Sequence, residues 1–256
     1  LGKEHRLAQR RQAILTAFDG AGQLSVAELS ARFGVSEVTI RTDLRALSRQ
    51  GLLVRTRGGA TAVMAQPEIS FDIRQQQQAE QKARIARTAA ALVRDGDAIA
   101  LDASTTVMAM IPYLETRRDL TVITNSLKAA MGLLRNRHVN VIMPGGRLRR
   151  DSISLVGPNG HRELAQIHLR MGFFGVRGVT PEQGLTDVNL EEAEWKRRMV
   201  ASCQTVIALL DATKWGQVGM TTFAQLQQVN LIITDEDAPA KLVEAVRRQG
   251  VEVTIV

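Results

Sequence analysis

The sequence predicts an α/β protein in two parts: a small N-terminal winged helix-turn-helix domain, then a domain built on a mainly parallel α/β sheet. Three observations predict it. Residues 25–59 spell two capped amphipathic helices around a glycine turn, followed by a basic strand. From residue 97 onward, short apolar runs alternate with amphipathic segments, as strands and covering helices do in a parallel sheet. The 256 residues, 45% hydrophobic and 23% charged, have room for one small and one medium core.

The first helix is expected from about Arg6 to Phe18, with Leu7, Ile14, Leu15 and Phe18 inward and a turn at Asp19–Gly22. Ser25 and Glu28 form an S-x-x-E capping box, in which each side chain can satisfy the other residue's backbone N–H. Leu29 and Phe33 recur at helical spacing, and Gly34 supplies the positive φ of a sharp exit. Ser36 caps the second helix, whose Ile40, Leu44 and Leu47 share one face. Gly51 ends it, Leu52–Arg57 reads as one strand of a wing, and Gly58-Gly59 as its turn. Such a module places a helix in the DNA major groove.

With Ile40 as the core direction, Val38, Thr42, Arg45 and Arg49 point outward, flanked by Thr39 and Arg41. Recognition helices read base edges with their N-terminal residues, which makes Ser36, Val38, Thr39, Arg41 and Thr42 the candidates. An Arg can fork onto guanine, and Thr and Val methyls can meet a thymine methyl. Arg45, Arg49, Arg55 and Arg57 lie where phosphate contacts are expected. Charge supports this reading: residues 1–66 hold ten Lys or Arg against five Asp or Glu, so +5 of the net +7 sits there. A concentrated basic end fits a polyanionic partner. The alternative, a merely solvated charged face, leaves the agreement of cap, turn and wing unexplained.

The expected boundaries are 1–60 for the DNA-binding domain, 61–78 for a linker and 79–256 for an effector-binding and oligomerisation domain. Residues 61–74 mix Pro67, Ser70 and acidic groups without period, and Gln75–Gln78 is a short run that can open the next helix, expected over 79–93. Strands are then expected at 98–101, 120–123, 139–142, 171–174, 206–210, 231–233 and 251–256. The segments between them are 107–114, 127–134, 162–167, 191–202 and 240–249.

Ligands of open α/β sheets collect beyond the carboxyl ends of the strands. Four such ends are polar. Asp102-Ala103-Ser104-Thr105-Thr106 offers hydroxyls and backbone N–H groups where a helix begins, a cradle for an anion such as phosphate. Thr124-Asn125-Ser126 opens another helix. In Pro144-Gly145-Gly146-Arg147 the glycines let backbone approach a ligand, and Arg147 can pair with phosphate or carboxylate. Asp211-Ala212-Thr213-Lys214 puts a lysine within reach of a phosphate or sugar hydroxyl. Taken singly, each has a plainer reading: Ser104 and Asn125 as caps, Arg147 as a surface ion pair.

Two sets of residues resemble the DeoR family of bacterial transcription regulators. The first is Arg11–Leu15, Val35–Leu44 and Gly58-Gly59-Ala60; the second is Leu101–Thr106, Val122–Ser126, Gly145-Gly146, Gly184–Thr186, Glu191–Arg197 and Asp211–Gly216. Where the family usually has two basic residues before the Asp, this chain has Arg41-Thr42. Where it mostly has Gly-Thr-Thr, this chain has Ser104-Thr105-Thr106. The resemblance implies an isomerase/CoA-transferase-like second domain related to ribose-5-phosphate isomerase, and a phosphorylated sugar as effector. It also implies that Asp102, Ser104, Thr105, Thr106, Asn125, Gly146 and Lys214 line the pocket.

The expected function is a DNA-binding transcriptional regulator, a repressor of a carbohydrate operon, whose operator affinity a sugar or sugar phosphate controls. The expected partners are double-stranded operator DNA, the effector and further copies of the chain, as a dimer or tetramer. Two other readings use the same residues. An isomerase-like enzyme would use Asp102, Asp211 and Lys214 for proton transfer, although the isomerase's Gly-rich loop is not visible and fold does not carry function. An architectural DNA-binding protein would use its second domain only to oligomerise. Cys203, the one cysteine, is expected to be buried and inert. Neither it nor the scattered His5, His138, His161 and His168 has metal-ligand spacing. No run is long enough to span a bilayer and no export signal opens the chain, so the cytoplasm is expected.

Overall fold

The computed structural model describes residues 10, 11, 13, 14, 17, 23–49, 54–56, 59–61, 71–157 and 167–256. The chain divides into two units, Leu1–Ser70 and Phe71–Val256.

In the first unit, residues 10, 11, 13, 14 and 17 are helical, within the expected first helix; its Leu7, Leu15 and Phe18 lie outside the described residues. Strand β1 (Gln23–Ser25) leads straight into a helix over Val26–Phe33. The capping box forms as the sequence predicts: the Glu28 N–H donates to Ser25 Oγ at 3.1 Å, and the Ser25 N–H to Glu28 Oε2 at 2.7 Å. Gly34 takes φ 61° and turns the chain toward the second helix, Glu37–Arg49. Ile14, Ala17, Val26, Leu29, Ile40, Leu44 and Leu47 form the core, while Phe33 is only half-buried. The wing departs from expectation. Its strands are β2 (Val54–Thr56) and β3 (Gly59–Thr61), so Gly59 opens a strand instead of completing a turn, and β1 joins as a third strand in the antiparallel order β1-β3-β2. A Cβ on Gly59 would lie 2.3 Å from the Leu24 carbonyl oxygen, so glycine lets β3 pack against β1.

The second unit is built on a seven-stranded, wholly parallel sheet. Its strands are β4 (Ala98–Leu101), β5 (Leu120–Thr124), β6 (Val139–Ile142), β9 (Leu169–Gly175), β12 (Cys203–Leu209), β14 (Leu231–Thr234) and β15 (Glu252–Ile255), in the order β15-β14-β12-β9-β4-β5-β6. These are the seven apolar runs. The chain adds β5 and β6 on one side of β4, then crosses to build β9 and the rest on the other, so the order reverses between β4 and β9. One hydrophobic layer includes Phe174, Trp195, Met199 and Val243; the other includes Ile85, Ile99, Met110 and Phe173. Cys203 is partly buried, and burial pushes its thiol up to about 12.

Three features of this unit differ from the expected elements. The segment 107–114 is two short helices, Thr105–Met108 and Ile111–Leu114, because Pro112 has no N–H to continue the first into the second. Two small antiparallel sheets accompany the large one: a hairpin of β7 (Arg147–Arg149) and β8 (Ser154–Val156), and a sheet of β10 (Gly178–Thr180), β11 (Gly184–Asp187) and β13 (Thr221–Ala224). A helix over Phe71–Gln76 also falls inside the expected 61–78 linker; Phe71 is buried in the second unit. Of the expected segment 162–167, only Ile167 is described.

Candidate DNA-reading helix and effector site

The second helix of the first unit presents the expected face. Ser36, Val38, Arg41, Thr42 and Arg45 are exposed and Thr39 is half-buried. Val38, at 69% exposure, is a large apolar side chain held in water at the helix N-terminus, as a residue kept for a base methyl would be. Ser36 Oγ accepts from the Thr39 N–H at 3.3 Å and lies 2.9 Å from its hydroxyl; Thr42 donates to the Val38 carbonyl at 2.9 Å. Arg41 meets Glu37 one turn back at 2.6 Å. Arg55 lies on β2, and Arg57 falls outside the described residues.

Sequence reasoning missed what aims this helix. Asp43 is 1% exposed, and its two oxygens accept from Arg10 Nε at 2.7 Å and Arg11 Nε at 2.9 Å. Two arginines of the basic end are therefore committed to a buried carboxylate on the inner face of the reading helix. Nothing in the helix's own periodicity marks Asp43, because its partners lie more than thirty positions upstream.

In the second unit two of the polar strand ends, after β4 and β12, lie on either side of β9, next to the point where the strand order reverses, the place at which open sheets take ligands. Asp102, just past β4, is buried and held from three sides. Its Oδ1 accepts from the Ser104 N–H at 2.9 Å; its Oδ2 accepts from the Gly175 N–H at 2.9 Å and meets Lys196 Nζ at 2.9 Å. Lys196 also donates to the Gly175 carbonyl at 2.7 Å and to Asp187 Oδ2 at 2.6 Å, with the Phe223 ring 4.9 Å away. Burial alone would lower the Lys196 pKa, but Asp102 and Asp187 outweigh it and hold the ammonium above its usual range. Ser104 caps the following helix through the Val107 N–H at 3.2 Å, and Thr105 and Thr106 are buried beside it. A Cβ on Gly175 would meet Ser104 Oγ at 2.2 Å and Cβ at 2.3 Å, so only glycine lets β9 approach this loop.

Asn125, one step past β5, is fully buried. Its Nδ2 donates to Glu192 Oε2 at 3.0 Å and to the Leu155 carbonyl at 3.3 Å, while its Oδ1 has no partner among the described residues. Glu192 Oε1 accepts from Ser152 Oγ at 2.7 Å and from Ser154 Oγ, and lies 3.5 Å from Arg149. Glu192 and Lys196 are one turn apart on the helix Leu190–Ser202, so a single helix braces both the β4 and the β5 loops.

The Pro144–Arg147 loop is arranged differently from its sequence expectation. Gly145 and Gly146 are exposed, and a Cβ on Gly146 would lie 2.6 Å from the Val156 carbonyl oxygen, so this glycine serves hairpin packing. Arg147 is 66% exposed and pairs with Glu191 at 2.5 Å. Of the two arginines on β7, it is Arg149, 12% exposed, that turns inward to Glu192.

At the far strand end, Asp211 accepts from the Thr213 N–H at 3.1 Å and caps the short turn carrying Lys214. Lys82, from the first turn of helix Ala79–Ala91, shares its field. This lysine is 5% exposed, and burial, reinforced by Lys214 and Arg74 against the opposing pull of Asp211, pushes its pKa down to about 8. Its Nζ donates to the Arg74 carbonyl at 2.5 Å. No local pattern in the sequence singles out Lys82. Among the described residues, no group of His, Cys, Asp and Glu is placed to hold a metal, and no helix is long and apolar enough to cross a membrane.

Residues 10–66 match the DeoR-like helix-turn-helix domain, and residues 77–236 match the DeoR C terminal sensor domain. The chain belongs to the DeoR family of transcriptional regulators. This DeoR-family chain is 37% identical to an uncharacterized HTH-type transcriptional regulator, YulB, of Bacillus subtilis (strain 168), covering 98% of this chain and 97% of that one. It is 33% identical to a putative aga operon transcriptional repressor of Escherichia coli O157:H7, covering 97% and 94%. With the glycerol-3-phosphate regulon repressor of Escherichia coli (strain K12) it shares 27% identity over 96% and 98%. Among solved structures, ribose 5-phosphate isomerase A from Methanocaldococcus jannaschii aligns over 54% of each chain at 17% identity and a TM-score of 0.40. That likeness is too slight to carry function to this DeoR-family regulator.

Proposed function

We propose that this regulator represses a carbohydrate operon: it binds operator DNA through Ser36, Val38, Thr39, Arg41 and Thr42, with phosphate contacts from Arg45, Arg55 and Arg57, and a phosphorylated sugar changes that affinity. The observation that carries the effector reading is the lysine pair, Lys82 with Lys214, beside the end of β12. Lys82 donates to the Arg74 carbonyl and is held at a low pKa chiefly by desolvation, with Asp211 pulling the other way and Lys214 and Arg74 adding to the lowering, so an anion docking beside Lys82 and Lys214 would favour its charged form. Thr105 and Thr106 supply hydroxyls at the next strand end but one, and Asn125 Oδ1, without a partner among the described residues, is an acceptor for a sugar hydroxyl. The printed names of the relatives, an aga operon repressor and a glycerol-3-phosphate regulon repressor, support repression and this ligand class.

A non-enzymatic role is supported by the printed names of the relatives, which are regulators and repressors, and Asp102 is engaged by two backbone N–H groups and Lys196 in a bracing part. This reading takes 1–60 as the DNA-reading part and starts the sensor at Phe71, which the division of the chain after Ser70 supports. The protein is expected in the cytoplasm as a homo-oligomer on paired half-sites. The test is a mobility-shift assay on its own promoter fragment, with titration of ribose 5-phosphate, glucose 6-phosphate and glycerol 3-phosphate. Release by one of them in the parent, lost in Lys214→Ala and Thr105→Ala with DNA binding kept, is the expected result. Equal release from both variants would sink the site.

A further inference from the structure

The helix Phe71–Gln76 is the first element of the second unit, so the chain from the DNA-reading unit enters the sensor through it. It is pinned at three points. Lys82 Nζ donates to the Arg74 carbonyl in its last turn at 2.5 Å. The Asp151 carbonyl, between β7 and β8, accepts from the Phe71 N–H at 3.1 Å and from Arg74 Nη2 at 3.2 Å. Lys128 pairs with Asp72 at 2.5 Å and lies 4.4 Å from the Phe71 ring centroid. Each pin belongs to an element carrying candidate effector groups: Lys82 is one itself, Lys128 sits in the helix that Asn125-Ser126 opens, and Asp151 lies in the hairpin that follows Gly145-Gly146.

We propose that Phe71–Gln76 is the readout of the effector site: an anion bound by Lys82 takes its ammonium from the Arg74 carbonyl and loosens the helix through which the DNA-reading unit is attached. This rests on the effector site described above. An ammonium has three donors, but the one aimed at Arg74 competes with a charged acceptor that binds more strongly than a neutral carbonyl. Effector binding and helix docking are thereby linked reciprocally: whatever holds the helix down weakens anion binding, and the reverse. The arrangement needs no rigid path between the two units, only a change in how firmly the entry helix is held.

Hydrogen exchange of the full chain tests this, with inorganic phosphate against chloride at matched ionic strength, alongside thermal shift. Phosphate is expected to raise the melting temperature in the parent but not in Lys214→Ala. It is also expected to speed amide exchange in residues 71–78 about tenfold, the scale of one lost charge-assisted hydrogen bond. Lys128→Met, outside the anion-binding groups, is expected to speed the same amides without phosphate and to keep the phosphate-induced shift. A specific shift with unchanged exchange over 71–78 overturns the readout alone. No shift, or a shift that Lys214→Ala retains, overturns the site and the readout with it.

Discussion

Lys82 makes anion affinity a function of pH. Burial holds its folded pKa near 8, so it carries its charge below that pH, and effector phosphate affinity is expected to fall by up to tenfold per unit as pH rises above about 8. Isothermal titration between pH 6.5 and 9.5 would show the slope, and Lys82→Met should flatten it. Stability runs the other way: between about 8 and the unfolded value of 10.5 the unfolded chain binds the extra proton, so stability contributed at this site rises with pH over that window. Lys196 poses the opposite case. Lys196→Met would leave Asp102 and Asp187 buried without their cation, and a loss of about 3–5 kcal/mol in urea unfolding is expected. On the DNA face, Arg41→Ala should abolish discrimination between operator and unrelated duplex, while Arg45→Ala should weaken both and lower the salt slope by about one; mobility shifts at several salt concentrations separate the two.

Elements were legible wherever a local pattern decides them. Capping box and glycine exit follow from side chains within a few positions of one another, and the inner strands of the parallel sheet are largely buried on both faces, so they read as apolar runs. The β7–β8 hairpin and the β10-β11-β13 sheet were not legible. Their strands are three or four residues long, too short for alternation to register; β7 is mostly exposed and β10 and β11 are buried throughout, so none of these three shows an alternating pattern. The site divides along the same line. Strand-end residues such as Asp102 and Asn125 could be found by position, whereas Glu192 meets Asn125 across 67 positions and Lys196 meets Asp102 from a distant helix, which no local pattern marks. Arg147 and Arg149 show the limit: two residues apart on one strand, they share a face in an ideal pleat, and only the tertiary partners Glu191 and Glu192 tell them apart. At this scale Gly175→Ala is expected to push β9 off the Ser104 loop, costing about 1–3 kcal/mol in denaturant unfolding and abolishing the effector response.

For the whole molecule, charge and architecture assign separate work to the two units. The basic excess lies in residues 1–66, where it favours encounter with a polyanion, while the remainder carries only +2 and is free to select a small anion by local geometry. Regulation then requires that the effector favour one arrangement of the chain by its differential affinity alone; a coupling of about 1–3 kcal/mol gives 5–150-fold control.

The placement of Glu192 and Lys196 on successive turns of one helix bears on how such a sensor could be re-tuned. The braces engage Asn125 and Asp102, whereas the proposed effector contacts of Thr105, Thr106 and Lys214 are other residues, so the proposal lets the two sets be altered independently. Under that proposal, a designer wishing to change the preferred metabolite would vary Thr106 or the turn after β12 and leave untouched both that helix and Ser104, which caps its own helix and lies against Gly175. Substituting either brace would instead slacken every neighbouring loop at once, trading one selectivity for none.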